Sequence, residues 1–480
     1  MGNKEDILLP LSSECLNEYV TDEQENKNIE AAEEIKEIID NTFIDFGIQA
    51  RVKDYVVGAS VTRYNIELAP NCSIKMISNL IADIQIRLGG ISVRYDINSK
   101  GSFFPGLEIE NPVCRTVSLK ELYDALPPVD KHPLAIPLGE RVNGEVVWVD
   151  LPNTPHILIS GTTGSGKSIF NNSLIITLMM RNSPETLKFV LFDPKKVELN
   201  RYKESPHLLC PIVHEANDAK RILDKLVAEM EDRYDKFYDT NSTNINEYNE
   251  DAEQNGVEKL PYIVVIIDEY ADLVDSDKSI AIPVISLVQK ARAAGIHLVI
   301  ATQRPSTNVI TGVLKANVPT HIALMMASAV DSMTIIGESG AEKLLGKGDM
   351  LVQCYLVAHL ATTRLQGSFV HRTEINRVLD YFKSHFETKY NPKFLLDKED
   401  KPIAKEQEPS VSTYQGVEED RYQAIKGWVI TQDYMSISRI QRECGVGFNR
   451  AGRYFLRLQQ EGVISNETTK HGSPVNKKAD

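Results

Sequence analysis

Apolar and polar positions change rhythm several times along this 480-residue chain. Between Ile29 and Phe46, the residues Ile35, Ile38, Ile39 and Phe43 recur at the spacing of one helix face. From Ala50 to Leu68 the rhythm becomes alternation, clearest in Ser60-Val61-Thr62-Arg63-Tyr64-Asn65-Ile66-Glu67-Leu68, and this predicts strands. Ile77 to Leu88 returns to helical spacing, and Ile91-Ser92-Val93-Arg94-Tyr95 to alternation. Helix, strands, helix and strand predict a small α+β domain over residues 29–126, without a catalytic signature. Arg63 and, just beyond that domain, His132 read as solvated or structural residues. The polar, acidic residues 1–28 ahead of it predict disorder.

Over residues 127–390 short apolar runs alternate with longer helical patterns. The predicted strands are His156–Ser160, Phe189–Phe192, Tyr262–Ile267, His297–Ala301 and His321–Leu324. Strands alternating with helices imply a parallel sheet covered on both faces, with ligands at the carboxyl ends of its strands. The polar segment Asp239–Lys259 reads as a loop. Residues 391–416, with Pro392, Pro402 and Pro409 among mixed charges, read as a linker. Residues 417–466 are again helical: one helix from Ser436 to Cys444, a Gly445-Val446-Gly447 turn, and a second helix from Phe448 to Glu461. Ala451, Phe455 and Leu458 form the apolar stripe of that second helix, opposite Arg450, Arg453 and Arg457. Residues 467–480 read as a polar, disordered tail.

One stretch carries a phosphate-binding pattern. Gly161-Thr162-Thr163-Gly164-Ser165-Gly166-Lys167-Ser168 satisfies G-x-x-x-x-G-K-[ST], between the strand-like His156-Ile157-Leu158-Ile159 and a helical Ile169–Met180. Glycines let backbone N–H groups face phosphate oxygens at a helix N-terminus. Lys167 would reach the β- and γ-phosphates of ATP, and Ser168 would hold Mg²⁺. Ile263-Val264-Val265-Ile266-Ile267-Asp268-Glu269 ends an apolar strand in two carboxylates. Asp268 would bind Mg²⁺, and Glu269 would act as general base on the attacking water, which points to hydrolysis. Gln303, after the His297–Ala301 strand, could contact the γ-phosphate or its water; the alternative is a satisfied strand-end amide. Arg292 and Arg304 are candidates for stabilising transition-state charge, in cis or across a subunit interface. Asp193-Pro194-Lys195-Lys196 follows another strand and either lines the site or is a charged turn.

Composition narrows the class. The chain is too long for one compact core. Its 42% hydrophobic and 25% charged residues are those of an ordinary globular protein. No apolar run approaches the roughly 18 residues that span a bilayer, and the N-terminus lacks the apolar core of a signal peptide. Six scattered cysteines without a Cys-x-x-Cys pair read as reduced thiols of a cytosolic protein. The net charge of −14 excludes a uniformly basic nucleic-acid coat. Locally the balance reverses: residues 421–480 carry ten Lys/Arg against five Asp/Glu. Two helices, a glycine turn and arginines near the start of the second fit a helix-turn-helix reader of duplex DNA; the alternative is a small helical domain with a solvated basic face.

Together these residues resemble the FtsK/SpoIIIE family of double-stranded DNA translocases. The resemblance extends to Phe192-Asp193-Pro194-Lys195, Gln289-Lys290-Ala291-Arg292-Ala293-Ala294-Gly295-Ile296-His297 and Ala301-Thr302-Gln303-Arg304-Pro305. It also includes Gly340-Ala341-Glu342, Leu344-Leu345-Gly346 and Gly348-Asp349-Met350-Leu351. In the first domain Thr62-Arg63-Tyr64, Leu68-Ala69-Pro70 and Ile91-Ser92-Val93-Arg94 match, and Asn449-Arg450-Ala451 with Arg453 match a winged-helix γ domain. The family implies a RecA-like ATPase core at 127–390, an α domain at 29–126 and a winged-helix DNA reader at 417–466. It further implies a homo-hexameric ring threading duplex DNA, with division-site or recombinase partners, in chromosome segregation. Arg442, Asn449, Arg450 and Arg453 are the expected DNA-contacting residues. Related ring ATPases of conjugative transfer or secretion are the alternative. Three departures stand out. Family members usually carry an N-terminal membrane anchor, so the chain reads as a soluble relative or as the motor part only. His321 replaces an arginine that usually follows Pro-Thr. In the reader, Gly445 and Gly452 replace a frequent basic residue and a frequent alanine.

Overall fold

The computed structural model describes residues 9–19, 22–97, 103–358, 362–396, 422–423, 425–444, 448–465 and 473–476. It divides into two units, 1–395 and 396–480.

In the first unit the helix Asp22–Asp45 lies on an antiparallel sheet of β1 (Ala50–Val57), β2 (Val61–Leu68), β3 (Val93–Asp96) and β4 (Gly106–Glu110), ordered β1-β2-β4-β3. Ile39 and Phe43 close its core against Tyr64, Ile66, Ile84 and Ile109. The helical rhythm of 77–88 resolves into two short helices, Ile74–Asn79 and Ile81–Arg87, interrupted at Leu80.

Nine strands of the described residues form the main sheet. They are β5 (Ala135–Glu140), β6 (Val146–Asp150), β7 (His156–Ser160), β8 (Leu187–Phe192), β9 (Tyr262–Ile267), β10 (Ile296–Thr302), β11 (Thr320–Leu324), β12 (Asp349–Cys354) and β13 (Thr363–Gln366). Their order is β6-β5-β13-β12-β11-β7-β10-β9-β8. The expected parallel arrangement holds from β8 to β11 and then fails: β12, β13, β5 and β6 pair antiparallel. For two of these pairs the physical reason is the connection. β5–β6 and β12–β13 return directly beside themselves, without the long crossover that a parallel pair needs. β7 sits centrally and is buried along its length. Register places Thr302 beside Ser160 and Ile300 beside Ile267, so the strand ends preceding the glycine loop, Asp268 and Gln303 share one edge.

In the first unit, three segments expected to lack structure are folded. Within Asp239–Lys259 a helix runs from Ile245 to Asn255. The Asn244 side chain caps it, accepting from the Asn246 and Glu247 amides, and Gly256 at φ 67° ends it. Only Ile245, Tyr248 and Ala252 face inward, against Phe237, and so short a stripe is hidden in a polar composition. Of residues 1–28, expected to be disordered, 22–28 begin the helix Asp22–Asp45 and 9–19 pack as a strap on the core of the main sheet. Leu16 is buried in it, and the Leu11 amide donates to the Met180 carbonyl. Its partners lie far along the sequence, so no local periodicity announces it. Residues 391–396 of the expected linker are folded: Phe394 is buried, and Lys393 pairs with Asp232 at 3.0 Å; residues 397–416 lie outside the described residues.

In the second unit the helices Ile437–Cys444 and Phe448–Gln460 pack through Ile440, Ala451, Tyr454 and Leu458. Tyr434–Met435 pairs with Ser473–Pro474, and Ile464 bridges to Val475. Ser473–Pro474 of the expected tail therefore form a wing strand, and Ser473 and the bridged Val475 are buried. The Gly445-Val446-Gly447 turn lies outside the described residues. Among the described residues no helix is long and apolar enough to cross a membrane.

Candidate active site

The glycine loop follows β7 and opens the helix Lys167–Arg181. Gly161 and Thr162 are tied to neighbouring strand ends: Gly161 N donates to Thr302 O at 3.4 Å and Thr162 N to Met325 O at 2.9 Å. Gly164 (φ 81°) and Gly166 (φ 108°) occupy left-handed backbone. At Gly166 space is also decisive, because a Cβ there would lie 2.5 Å from the Gly348 amide nitrogen. A second glycine-rich loop, Gly346-Lys347-Gly348, thus backs the first, with Gly348 N donating to Ser165 O at 2.8 Å. The buried Ser165 hydroxyl has no protein partner. Thr163 and Ser168 line the same cavity, of about 640 Å³.

Lys167, buried, donates through Nζ to the Asp268 carbonyl at 2.6 Å and to Asp268 Oδ1 at 2.9 Å. Asn171 Nδ2 reaches the same Oδ1 at 3.2 Å. Glu269, also buried, accepts from Thr302 Oγ1 at 2.7 Å, from the Gln303 amide at 3.0 Å and from Lys195 Nζ at 3.1 Å. Lys195 also lies 3.4 Å from Gln303 Oε1 and 3.7 Å from Asp272. The structure thus gathers Gly161, Thr162, Thr163, Gly164, Ser165, Gly166, Lys167, Ser168, Asp268, Glu269 and Gln303 on one sheet edge. Of the Asp193–Lys196 turn, Asp193 is buried and accepts from Leu199 N at 3.0 Å, so it shapes the turn while Lys195 faces the carboxylates.

Arg292 is placed elsewhere. It precedes β10, at the opposite edge of the sheet, where Nε donates to Pro152 O at 3.0 Å. A role in cis at its own chain's phosphate loop is therefore excluded, since the length of β10 separates the two. Arg304 pairs with Asp272. Sequence reasoning missed Thr302, the hydroxyl that orients Glu269; its position immediately before Gln303 at a strand end was the available signal. The backing role of Gly346–Gly348 was also missed, because positive φ and close approach appear only in three dimensions. In the second unit Arg442, Asn449 and Arg450 stand on the two helices, and their side chains lie outside the described residues; Arg453 is exposed.

The donor set fits a nucleotide with Mg²⁺. Two left-handed glycines and Lys167, which lies beside Asp268, line one cavity, and the unpartnered buried Ser165 hydroxyl stands between those two glycines in the loop.

Comparison with known proteins gives the same picture. A sequence model of the FtsK/SpoIIIE family matches residues 119–307, one of the FtsK alpha domain residues 9–111, and one of the Ftsk gamma domain residues 416–472. The DNA translocase FtsK of Streptococcus pyogenes serotype M3 (strain SSI-1) is 39% identical over 459 residues, 93% of this chain and 56% of that protein. The DNA translocase FtsK of Streptococcus pneumoniae (strain R6) is 40% identical over 450 residues, 92% of this chain and 58% of that one. The chain thus spans about half the length of the curated relatives it matches. Among solved structures, the cytoplasmic domain of the Thermomonospora curvata Type VII secretion ATPase EccC superposes with a TM-score of 0.52 at 21% identity. It covers 59% of this chain and 36% of that one, a likeness of fold. The fold is a RecA-like P-loop core between an N-terminal α+β domain and a C-terminal winged-helix domain. With a different domain of one family matched in each of three successive segments, this chain belongs to the FtsK/SpoIIIE family.

Proposed function

We propose that this chain is the motor of a double-stranded DNA translocase that hydrolyses ATP. The observation that carries the reading is the convergence of Lys167, Asp268 and Glu269 at one sheet edge, with Glu269 buried and held by three groups of donors. Lys167 binds the β- and γ-phosphates, which compete with Asp268 for its ammonium. Ser168 and Asp268 would hold Mg²⁺, which supplies charge neutralisation between the phosphates. Glu269 takes the proton of the attacking water. Gln303 donates its amide to Glu269 and shares the Lys195 ammonium with it, so loss of the γ-phosphate is passed to the loop beyond β10. Arg292 faces a neighbouring copy's nucleotide in a homo-hexameric ring.

Duplex DNA is moved through its phosphates, because a motor that passes every sequence cannot depend on base edges. The winged-helix domain supplies orientation through Arg442, Asn449, Arg450 and Arg453, which can reach guanine and adenine edges. The same domain favours DNA over a secreted polypeptide as cargo. We place the motor on the cytoplasmic side, in chromosome segregation coupled to division. ATP hydrolysis measured with and without long duplex DNA tests the reading. DNA should raise the rate of the native chain and leave Glu269→Gln inactive. Equal rates with and without DNA overturn it.

A further inference from the structure

The cavity beside the glycine loop reaches beyond the space that phosphates use, and its volume of about 640 Å³ suits a whole nucleotide. Its distal wall comes from chain segments outside the loop. Ser368 Oγ lies 3.1 Å from Ser173 Oγ, and Ser173 stands about 9 Å along the helix from Lys167, a nucleoside's length from the phosphate site. The next residue, Phe369, is held on both sides by backbone bonds: Phe369 N donates to Val117 O at 2.7 Å and Leu119 N to Phe369 O at 3.1 Å. The residue is nevertheless 36% exposed, and it lines the cavity. Tyr19 lines the same cavity and meets that ring edge-on, with centroids 5.6 Å apart and planes at 71°.

The strap does not place Tyr19 there loosely. Its hydroxyl donates to Glu374 Oε2 at 2.7 Å, and the Asn17 amide donates to Glu374 Oε1 at 2.8 Å. Glu374 is buried at the start of the Arg372–His385 helix. Three residues on, Arg377 donates to the Cys15 carbonyl and to Asn17 Oδ1, both at 2.6 Å. A buried carboxylate and an arginine thus hold one tyrosine at the mouth of a nucleotide-sized cavity.

We propose that Tyr19 and Phe369 form an aromatic platform for the base of the bound nucleotide, and that docking of the 9–19 strap is linked to nucleotide binding. The proposal rests on the nucleotide reading of the cavity. A base offers a flat π face to an aromatic wall, whereas a bare polyphosphate offers nothing to it. Because Tyr19 belongs to the strap, a base stacked on it favours the docked strap, and a docked strap raises nucleotide affinity by the same factor.

The test uses the full chain with Mg²⁺ and compares binding of ADP with that of inorganic tripolyphosphate by calorimetry. Tyr19→Ala and Phe369→Ala should each weaken ADP about three- to tenfold, the range of one aromatic pair, and leave tripolyphosphate unchanged. Lys167→Ala should weaken both. Tyr19→Trp should keep ADP affinity, and its added indole emission should change on ADP and stay constant on tripolyphosphate. Native affinity for ADP in Tyr19→Ala, equal loss of both ligands, or an indole blind to ADP overturns the platform. A native chain that binds neither ligand, with Lys167→Ala no different, overturns the nucleotide reading itself.

Discussion

Glu269 illustrates how a strand end prepares a carboxylate. It is fully out of solvent, yet the Thr302 hydroxyl, the Gln303 amide and the Lys195 ammonium all point at it. Such donors compensate burial and fix the carboxylate's orientation. Glu269→Gln keeps the shape and the amide contact but cannot take a proton. Turnover should fall by about 10² to 10⁴ while nucleotide binding persists, as single-turnover hydrolysis and calorimetry would show. Thr302→Val removes one donor to a charged group. It should cost about 1.5–3 kcal/mol in the transition state, seen as a lower kcat at nearly unchanged KM.

At the scale of elements, the glycine loop depends on a second loop that sequence spacing does not reveal. Gly166→Ala places a Cβ 2.5 Å from Gly348 N at a φ of 108°. Both loops must then move, and nucleotide affinity should be lost while the core still unfolds cooperatively on heating. The helix Ile245–Asn255 makes a different point. Tyr248 is buried and its ring lies 5.6 Å from that of Phe237. Tyr248→Ala should destabilise the unit by about 3 kcal/mol in denaturant titrations. Local signals were present there, in Asn244 and Gly256, but the three-residue stripe gave the periodicity too little weight. The Lys167–Arg181 helix was legible because its strong pattern extends over its whole length.

At the scale of the molecule, buried charge joins the α domain to the ATPase sheet. Arg364 of β13 donates to Glu108 Oε2 of β4 at 3.0 Å and to Asp349 Oδ2 at 2.6 Å. Burial alone would raise the pKa of Glu108, but Arg94 and Arg364 outweigh it and hold its carboxyl down to about 2. Arg364→Ala would leave Asp349 buried without this partner, and Asp349 also accepts from Leu345 N at the start of the loop that backs the phosphate site. About 3–5 kcal/mol of stability should be lost. The buried histidines set the acid limit. Burial lowers the pKa of His156 and His207 to about 3 and that of His297 to about 4, from 6.5. The unfolded chain then binds the protons more readily than the folded one. Their contribution is complete above about pH 6.5 and falls as pH drops toward 3–4, by about 2 kcal/mol per histidine between pH 7.5 and 5. Thermal unfolding followed across that range should show a falling midpoint, partly relieved in His207→Gln.

What the amino-acid order determined by itself was local. The spacing of Gly161–Ser168, the apolar run ending in Asp268-Glu269 and the two helices of the reader are written within windows of about ten residues. Helical and strand periodicities act at that range, so they survive without tertiary context. Tertiary structure alone decided which distant groups meet. It put Thr302 and Lys195 on Glu269, set Arg292 at the far edge of the sheet, turned β12, β13, β5 and β6 antiparallel, and carried Tyr19 to the nucleotide cavity. Such pairings follow from strand register and from packing of one buried core, where the cost of an unpaired polar group or a misfitted side chain selects a single arrangement. Apart from the β5–β6 and β12–β13 neighbours, no short stretch of chain contains both partners.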